Sequence, residues 1–447
     1  MSARQPGGPR PPGRSLHLAA LFPGAGDTTV WADPDAKSQI EFSSFERFAR
    51  TAERGLFDFL FLAEGLRLRE HRGRIHDLDV AGRPESLTVL NALAGVTEHL
   101  GLAATVDAAF NEPFELARRL ATLDHLSGGR AAWNVVTSAD ALTGENFRRG
   151  GYLDHADRYD RAAEFVATAR KLWGSWTPDG VPRPFAHRGR HFDIAGEFTL
   201  PRSPQGHPVV IQAGDCGEGR EAAATADIVL TRHGTLVAGR ALYADVKGRL
   251  AKYGRGPGDL RVMPGVTVVL GETAAEAQER AATIRRQQIS PQNAVLALEQ
   301  IWGLDLSGYD PDGPLPEIDP VAGSGLTRGG TRRGDAVATA RRLRALAKEK
   351  GLSLRQTVIE TSARQSFVGT PEAVAAGLEE FVREDAADGF VLEPHLAPGG
   401  LDGFVDRVVP LLQERGVFRT EYEGSTLRSH LGLPDPSAPW PSSPVAL

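Results

Sequence analysis

The chain has 447 residues, 41% of them apolar, and a formal net charge of −6. Acids and bases are mixed along it, which argues against nucleic acid or an anionic membrane as partner. The single cysteine, Cys216, excludes an internal disulfide framework and a paired-cysteine metal site, and the scattered histidines show no ligand spacing. Residues 1–14 are Pro, Gly and Arg with no apolar core, so a disordered tail is expected rather than a signal peptide. No run of about eighteen apolar residues exists, so a soluble cytoplasmic protein is expected.

In chain order, 16–22 (LHLAALF) reads as a first buried strand and 42–54 as an amphipathic helix. Residues 56–62 (LFDFLFL) read as a second strand that carries Asp58. A carboxylate in so apolar a run needs partners, because burying it alone is costly. Either Asp58 pairs with an arginine or backbone amides, or it faces a ligand from inside a barrel. Residues 65–83 form a basic loop with Arg67, Arg69, Arg72, Arg74 and Arg83. The loop is a solvated segment, or it selects an acidic substrate. A helix at 86–98 follows, then a strand at 100–106 with Thr105 near its end, then a helix at 114–125.

The stretch from Leu126 to Trp176 organises the rest. Residues 130–137 (RAAWNVVT) suit a buried parallel strand, with Asn134 and Thr137 in its C-terminal half. A long helix is expected from about Asp157. Ala162, Phe165, Val166, Ala169, Leu172 and Trp173 fall on one face of it. His155 and Tyr159 are four apart and share a face if the helix begins that early. They then either cap the helix or converge with Asn134 on the rim where barrel enzymes do their chemistry.

After a connection at 177–206, 208–213 (PVVIQA) is a strand that runs into Gly214-Asp215-Cys216-Gly217-Glu218-Gly219. Glycine between a strand and a helix N-terminus makes a phosphate cradle, or simply a tight turn. Further strands are expected at 227–230, 262–270 and 389–393, with helices at 236–253, 273–289, 335–349, 371–384 and 401–415. Residues 303–334 lack periodicity, and a loop of that length is usually functional or disordered. It is expected to be mobile and to cover the site when ligand binds. The tail from 434 to 447 is expected to be irregular. Eight strands alternating with helices predict a (β/α)8 TIM barrel over 15–433, with a long insertion at about 303–334 before the last unit.

WNVVTS, Asn146-Phe147, L-x-H-x-x-R-Y around His155 and Tyr159, and L-W-x-S-W resemble the bacterial luciferase-like flavin monooxygenases. The run Arg415-Gly416-x-Phe418-Arg419-x-x-Tyr422-Glu423-Gly424-x-Thr426-Leu427 resembles one branch of them, that of the nitrilotriacetate and dibenzothiophene-sulfone monooxygenases and pristinamycin synthase. The resemblance implies reduced FMN supplied by a separate NAD(P)H:flavin reductase. It further implies oxygenation of a small organic molecule through a C4a-(hydro)peroxyflavin, and no metal. It implies flavin contacts from Asp58, Thr105, His155 and Tyr159, and a phosphate site at Asp215-Cys216, where relatives often carry serine. His155 is the candidate for proton delivery. Glu64 stands where relatives commonly have Asp. Gln365 and Ser366 replace a Gly-His pair, which leaves any role for that histidine without a counterpart. A homodimer or higher homo-oligomer is expected. The alternatives are an F420-dependent oxidoreductase on the same barrel and a flavin-binding protein that has lost catalysis.

Overall fold

The computed structural model describes residues 15–24, 29–30, 33–64, 66, 70–71, 74–75, 84–137, 155–177, 179–213, 223–321, 335–362 and 366–436. Both expected irregular tails, 1–14 and most of 434–447, lie outside these residues.

Eight strands close into a barrel: β1 (His17–Leu21), β2 (Phe59–Leu62), β3 (Gly101–Asp107), β4 (Ala131–Val136), β5 (Val209–Ala213), β6 (Ile228–Thr231), β7 (Arg261–Val266) and β8 (Gly389–Leu392). Each pairs in parallel with the next, and β8 returns to β1. These are the eight strands expected from the sequence. Continuous apolar runs are legible because a parallel barrel strand is covered on both faces. One face meets helices, among them α1 (Phe42–Arg54), α2 (Ser86–Ala94), α3 (Pro113–Leu126) and α4 (His155–Trp173). The other face fills the barrel with Ala19, Phe59, Phe61, Ala103, Ala132, Val209, Ile211, Ile228, Met263 and Val391.

Leu427, Leu431 and Leu433 join that interior cluster from the C-terminal segment. They enter beneath the N-terminal ends of the strands, where Leu427 N donates to Gly129 O at 3.0 Å, just before β4. The branch-typical run at 415–427 is therefore the floor of the barrel. Gly129, at φ +93°, makes the close approach possible, since a Cβ there would lie 2.8 Å from Thr426 Cγ2.

The insertion before β8 is larger and better packed than the sequence suggests. After β7, Val268–Leu270 pairs in parallel with Phe367–Gly369 outside the barrel. Between them come α5 (Ala274–Gln288), α6 (Pro291–Trp302), α7 (Ala336–Lys350) and α8 (Leu354–Ser362). Helix α6 is an addition to the expected elements. Ser290 caps it by accepting from Asn293 N, and Pro291 stands at its first position, a start signal present in the sequence.

Residues 303–321 are not a free loop, which corrects half of that expectation. Leu306 and Leu315 are buried against Trp302, Leu343 and Leu354. Trp302 Nε1 donates to Ile318 O at 2.8 Å, and Val321 N to Trp302 O at 2.8 Å. The segment lacks periodicity because irregular backbone bonds and single apolar anchors order it, not a helix or strand face. Residues 322–334 lie outside the described residues. Among the described residues no helix is long and apolar enough to cross a membrane.

Candidate active site

The site is built on the C-terminal rim of the barrel, the end at which each strand leaves for its helix. Barrel side chains alternate in and out, so residues two apart share a face. Ala103 and Ala132 point inward, hence so do Thr105 and Asn134, one layer nearer the rim. Asn134 Nδ2 donates to Thr105 Oγ1 at 3.2 Å, and both residues are buried. Asn134 Oδ1 and the Thr105 hydroxyl proton have no partner among the described residues. They form a polar edge above an apolar floor.

Beside this pair stands Glu64, two residues beyond the end of β2. Its Oε2 lies 2.8 Å from Ser86 Oγ and accepts from Ser86 N at 3.3 Å. Ser86 Oγ also lies 3.0 Å from Thr105 O, so its single proton serves one of these two acceptors at a time. Burial pushes the Glu64 carboxyl above its ordinary range, the Ser86 hydrogen bonds oppose this, and Glu85 and Asp107 add to the rise. Glu64, Ser86, Thr105 and Asn134 form one connected polar group on the β2–β4 side of the mouth.

Helix α4 brings the third contribution. It begins at His155, so His155 and Tyr159 do lie in its first turns. That end is tied to the rim. Arg158 donates to Thr137 O just past β4 at 3.5 Å, and Arg161 to Ala108 O and Asn111 O past β3 at 3.2 and 3.1 Å. Tyr159 is half-buried, with the Arg158 guanidinium 5.9 Å from its ring centre. The His155 side chain lies outside the described residues. So do Asp215 and Cys216 with the rest of the loop after β5. In the 65–83 loop the backbone pairs Glu70–His71 with Arg74–Ile75, and the arginine side chains lie outside the described residues.

Asp58 is the correction. It is not within β2 but one residue before it, at the opposite end of the barrel. Asp58 N donates to Leu18 O, and Asp58 Oδ2 accepts from Leu18 N at 2.8 Å. Its other oxygen meets His17 Nδ1 at 3.2 Å and the Arg419 guanidinium in a short charge-assisted contact. The residue is fully buried. Burial alone would raise its pKa, but Arg419, and then His17, outweigh that and hold the carboxyl at about 2. Both carboxylate oxygens are held by partners in the floor, so Asp58 takes the structural role of its two possible readings. The carboxylate that reaches the rim from this strand is Glu64. An acid just after an apolar strand, rather than inside one, is the sequence signal that points to it.

The residues present suit a flavin. A planar heterocycle with donors and acceptors on one edge needs a mixed polar rim, as Thr105, Asn134 and Glu64 provide, over an apolar layer such as Phe61 and Ile211.

Comparison with known proteins agrees with the fold. The profile of the family described as luciferase-like monooxygenase matches residues 26–388. The nitrilotriacetate monooxygenase component A of Aminobacter aminovorans is 42% identical over 91% of this chain and 92% of its own length. A dibenzothiophene-sulfone monooxygenase of Rhodococcus erythropolis is 37% identical over 94% of this chain and 97% of its own. Among solved structures, the EDTA monooxygenase of Chelativorans sp. BNC1 superposes with a TM-score of 0.74 at 30% identity, covering 95% of this chain and all of its own. An F420-dependent secondary alcohol dehydrogenase shares the fold with a TM-score of 0.57 at 14% identity. A family profile covering most of the chain and relatives matched end to end settle its membership: the chain belongs to the luciferase-like monooxygenases.

Proposed function

We propose that the protein oxygenates a small organic substrate with reduced FMN delivered by a separate NAD(P)H:flavin reductase. The observation that carries this reading is the connected group Glu64–Ser86–Thr105–Asn134 at the mouth of a barrel whose relatives are monooxygenases over their full length.

Bound reduced FMN supplies the electrons that activate O2. The chain's own residues hold, orient and dry the site. Thr105 offers the ring edge its hydroxyl proton as a donor, and Asn134 its Oδ1 as an acceptor. Glu64, raised by burial, holds a proton more readily than an exposed carboxylate and can give or take a hydrogen bond at that edge. His155 and Tyr159, at the start of α4, would stand next to the ring, with His155 able to move a proton near neutral pH. The loop at 214–219 would hold the phosphate through backbone N–H groups. Asp215 must then turn away, and Cys216, a poor donor, adds little.

The test is reconstitution. With NADH alone the purified protein turns nothing over. Adding a flavin reductase and FMN starts oxygen uptake, and product appears with at least one member of a substrate panel. Turnover on NADH without reductase would overturn the reading.

A further inference from the structure

Glu393 stands apart from the Glu64–Ser86–Thr105–Asn134 group. It follows β8 directly, and Glu393 N donates to Val266 O at 2.8 Å, which fixes its backbone at the rim. Val391 lies in the barrel interior, so Glu393, two residues on, points to the same inner face. The close approach of Gly265 agrees. Gly265 is two residues beyond the inward-facing Met263, and a Cβ on it would sit 2.4 Å from Glu393 Oε1. The carboxylate thus lies across the mouth over β7, in space that only a glycine leaves open.

The ring order puts β8 diametrically opposite β4. Glu393 therefore faces the Thr105–Asn134 edge from the far wall. It is half-buried and has neither a hydrogen bond nor an ion pair among the described residues. Burial raises its pKa, and only the charge of Arg232, at the end of β6, opposes that. Every other carboxylate in the barrel wall at comparable or deeper burial is partnered. Asp58 has Arg419, Asp227 has Arg428 and Asp388 has Lys247. Glu64 has Ser86. A carboxylate left unpaired on the inner wall is stable while water reaches it. A ligand that fills the mouth displaces that water and must supply a donor, or leave the charge uncompensated.

We infer that Glu393 is a substrate-recognition residue, and that the substrate carries a protonated nitrogen with at least one N–H that pairs with it across the mouth from the flavin. This rests on the reading of the mouth as the flavin and substrate site. A rim built to pair a donor rejects analogues that lack it far more strongly than an apolar wall rejects an extra methylene. Glu393 sets the choice of substrate and touches no step in the flavin's own binding.

The experiment uses the full chain and matched probe pairs, benzylamine with benzyl alcohol and n-octylamine with n-octanol. Calorimetry is run anaerobically with and without reduced FMN. Wild type should prefer the amine of at least one pair by about tenfold, the worth of a hydrogen bond to a charged group. Glu393→Gln should abolish that preference while its reduced-FMN affinity stays at the wild-type value. Gly265→Ala should do the same, because its Cβ displaces the carboxylate, and the end of a flexible side chain moves at little cost to folding. No amine preference in wild type, or a preference that survives in both variants, overturns the inference. Failure of all three proteins to bind reduced FMN would instead sink the flavin reading. The probe comparison on the flavin-free protein would still decide Glu393.

Discussion

Arg419→Ala should destabilise the protein by about 3–5 kcal/mol, the range for removing one partner of a buried ion pair. The loss would come from the floor of the barrel, far from the rim. Asp58 is fully buried, and Arg419 is its strongest favourable partner. Without the guanidinium, the carboxyl must ionise without its main countercharge, held only by His17 and Leu18 N, or stay protonated. The same pair gives an acid signature. A carboxyl held at about 2 against an ordinary 3.8 contributes stability that is fully present above about pH 4. That contribution fades as pH falls from there toward 2. Denaturant melts at pH 7 and at pH 3 read both effects. Arg419→Ala should be much weaker at pH 7, and the gap to wild type should narrow at pH 3. Reduced-FMN affinity of the folded variant should be unchanged. A variant that melts like wild type, or that folds normally and loses flavin affinity, would return Asp58 to the ligand-facing role.

His155→Ala and Tyr159→Phe should act at the other end of the barrel, on binding and coupling rather than on folding. If these side chains contact the flavin as proposed, each variant would remove one hydrogen bond to a charged or strongly polar ligand, worth about 1.5–3 kcal/mol, or about ten- to a hundredfold. Arg158 and Arg161 supply the hydrogen bonds that tie α4 to the rim, so the helix should stay in place. Two readouts separate the roles. Affinity for reduced FMN reports contact with the ring. The share of consumed oxygen released as hydrogen peroxide reports how well the site is sealed and protonated. Lower affinity or more peroxide is expected in both variants. Wild-type values in both would leave His155 and Tyr159 as helix-capping residues.

The sequence yields the barrel more readily than the roles of its polar residues. Strands such as 131–136 and 209–213 are apolar on both faces, a pattern that few other environments demand. The face of α4 that carries Phe165, Val166, Ala169 and Leu172 is buried as its spacing requires. Asp58 is harder to place, because the period of a strand tells inside from outside but not one end from the other. A shift of three residues in where β2 begins moves that carboxylate from the middle of the strand to the floor. Glu64 and Glu393 are readable only by their positions just after two apolar strands. Their loneliness or pairing depends on Ser86 and Gly265, which are distant in sequence. The segment 303–321 is opaque for a related reason. Trp302, Leu306 and Leu315 follow no period, and their burial is set by α7 and α8.

The most direct test of the flavin site is an anaerobic titration of the purified protein with three ligands, reduced FMN, oxidised FMN and reduced F420. One-to-one binding of reduced FMN is expected, with weaker binding of oxidised FMN and no competition from reduced F420. Tight binding of F420 that excludes reduced FMN, or no binding of any flavin, would contradict a mouth built for reduced FMN.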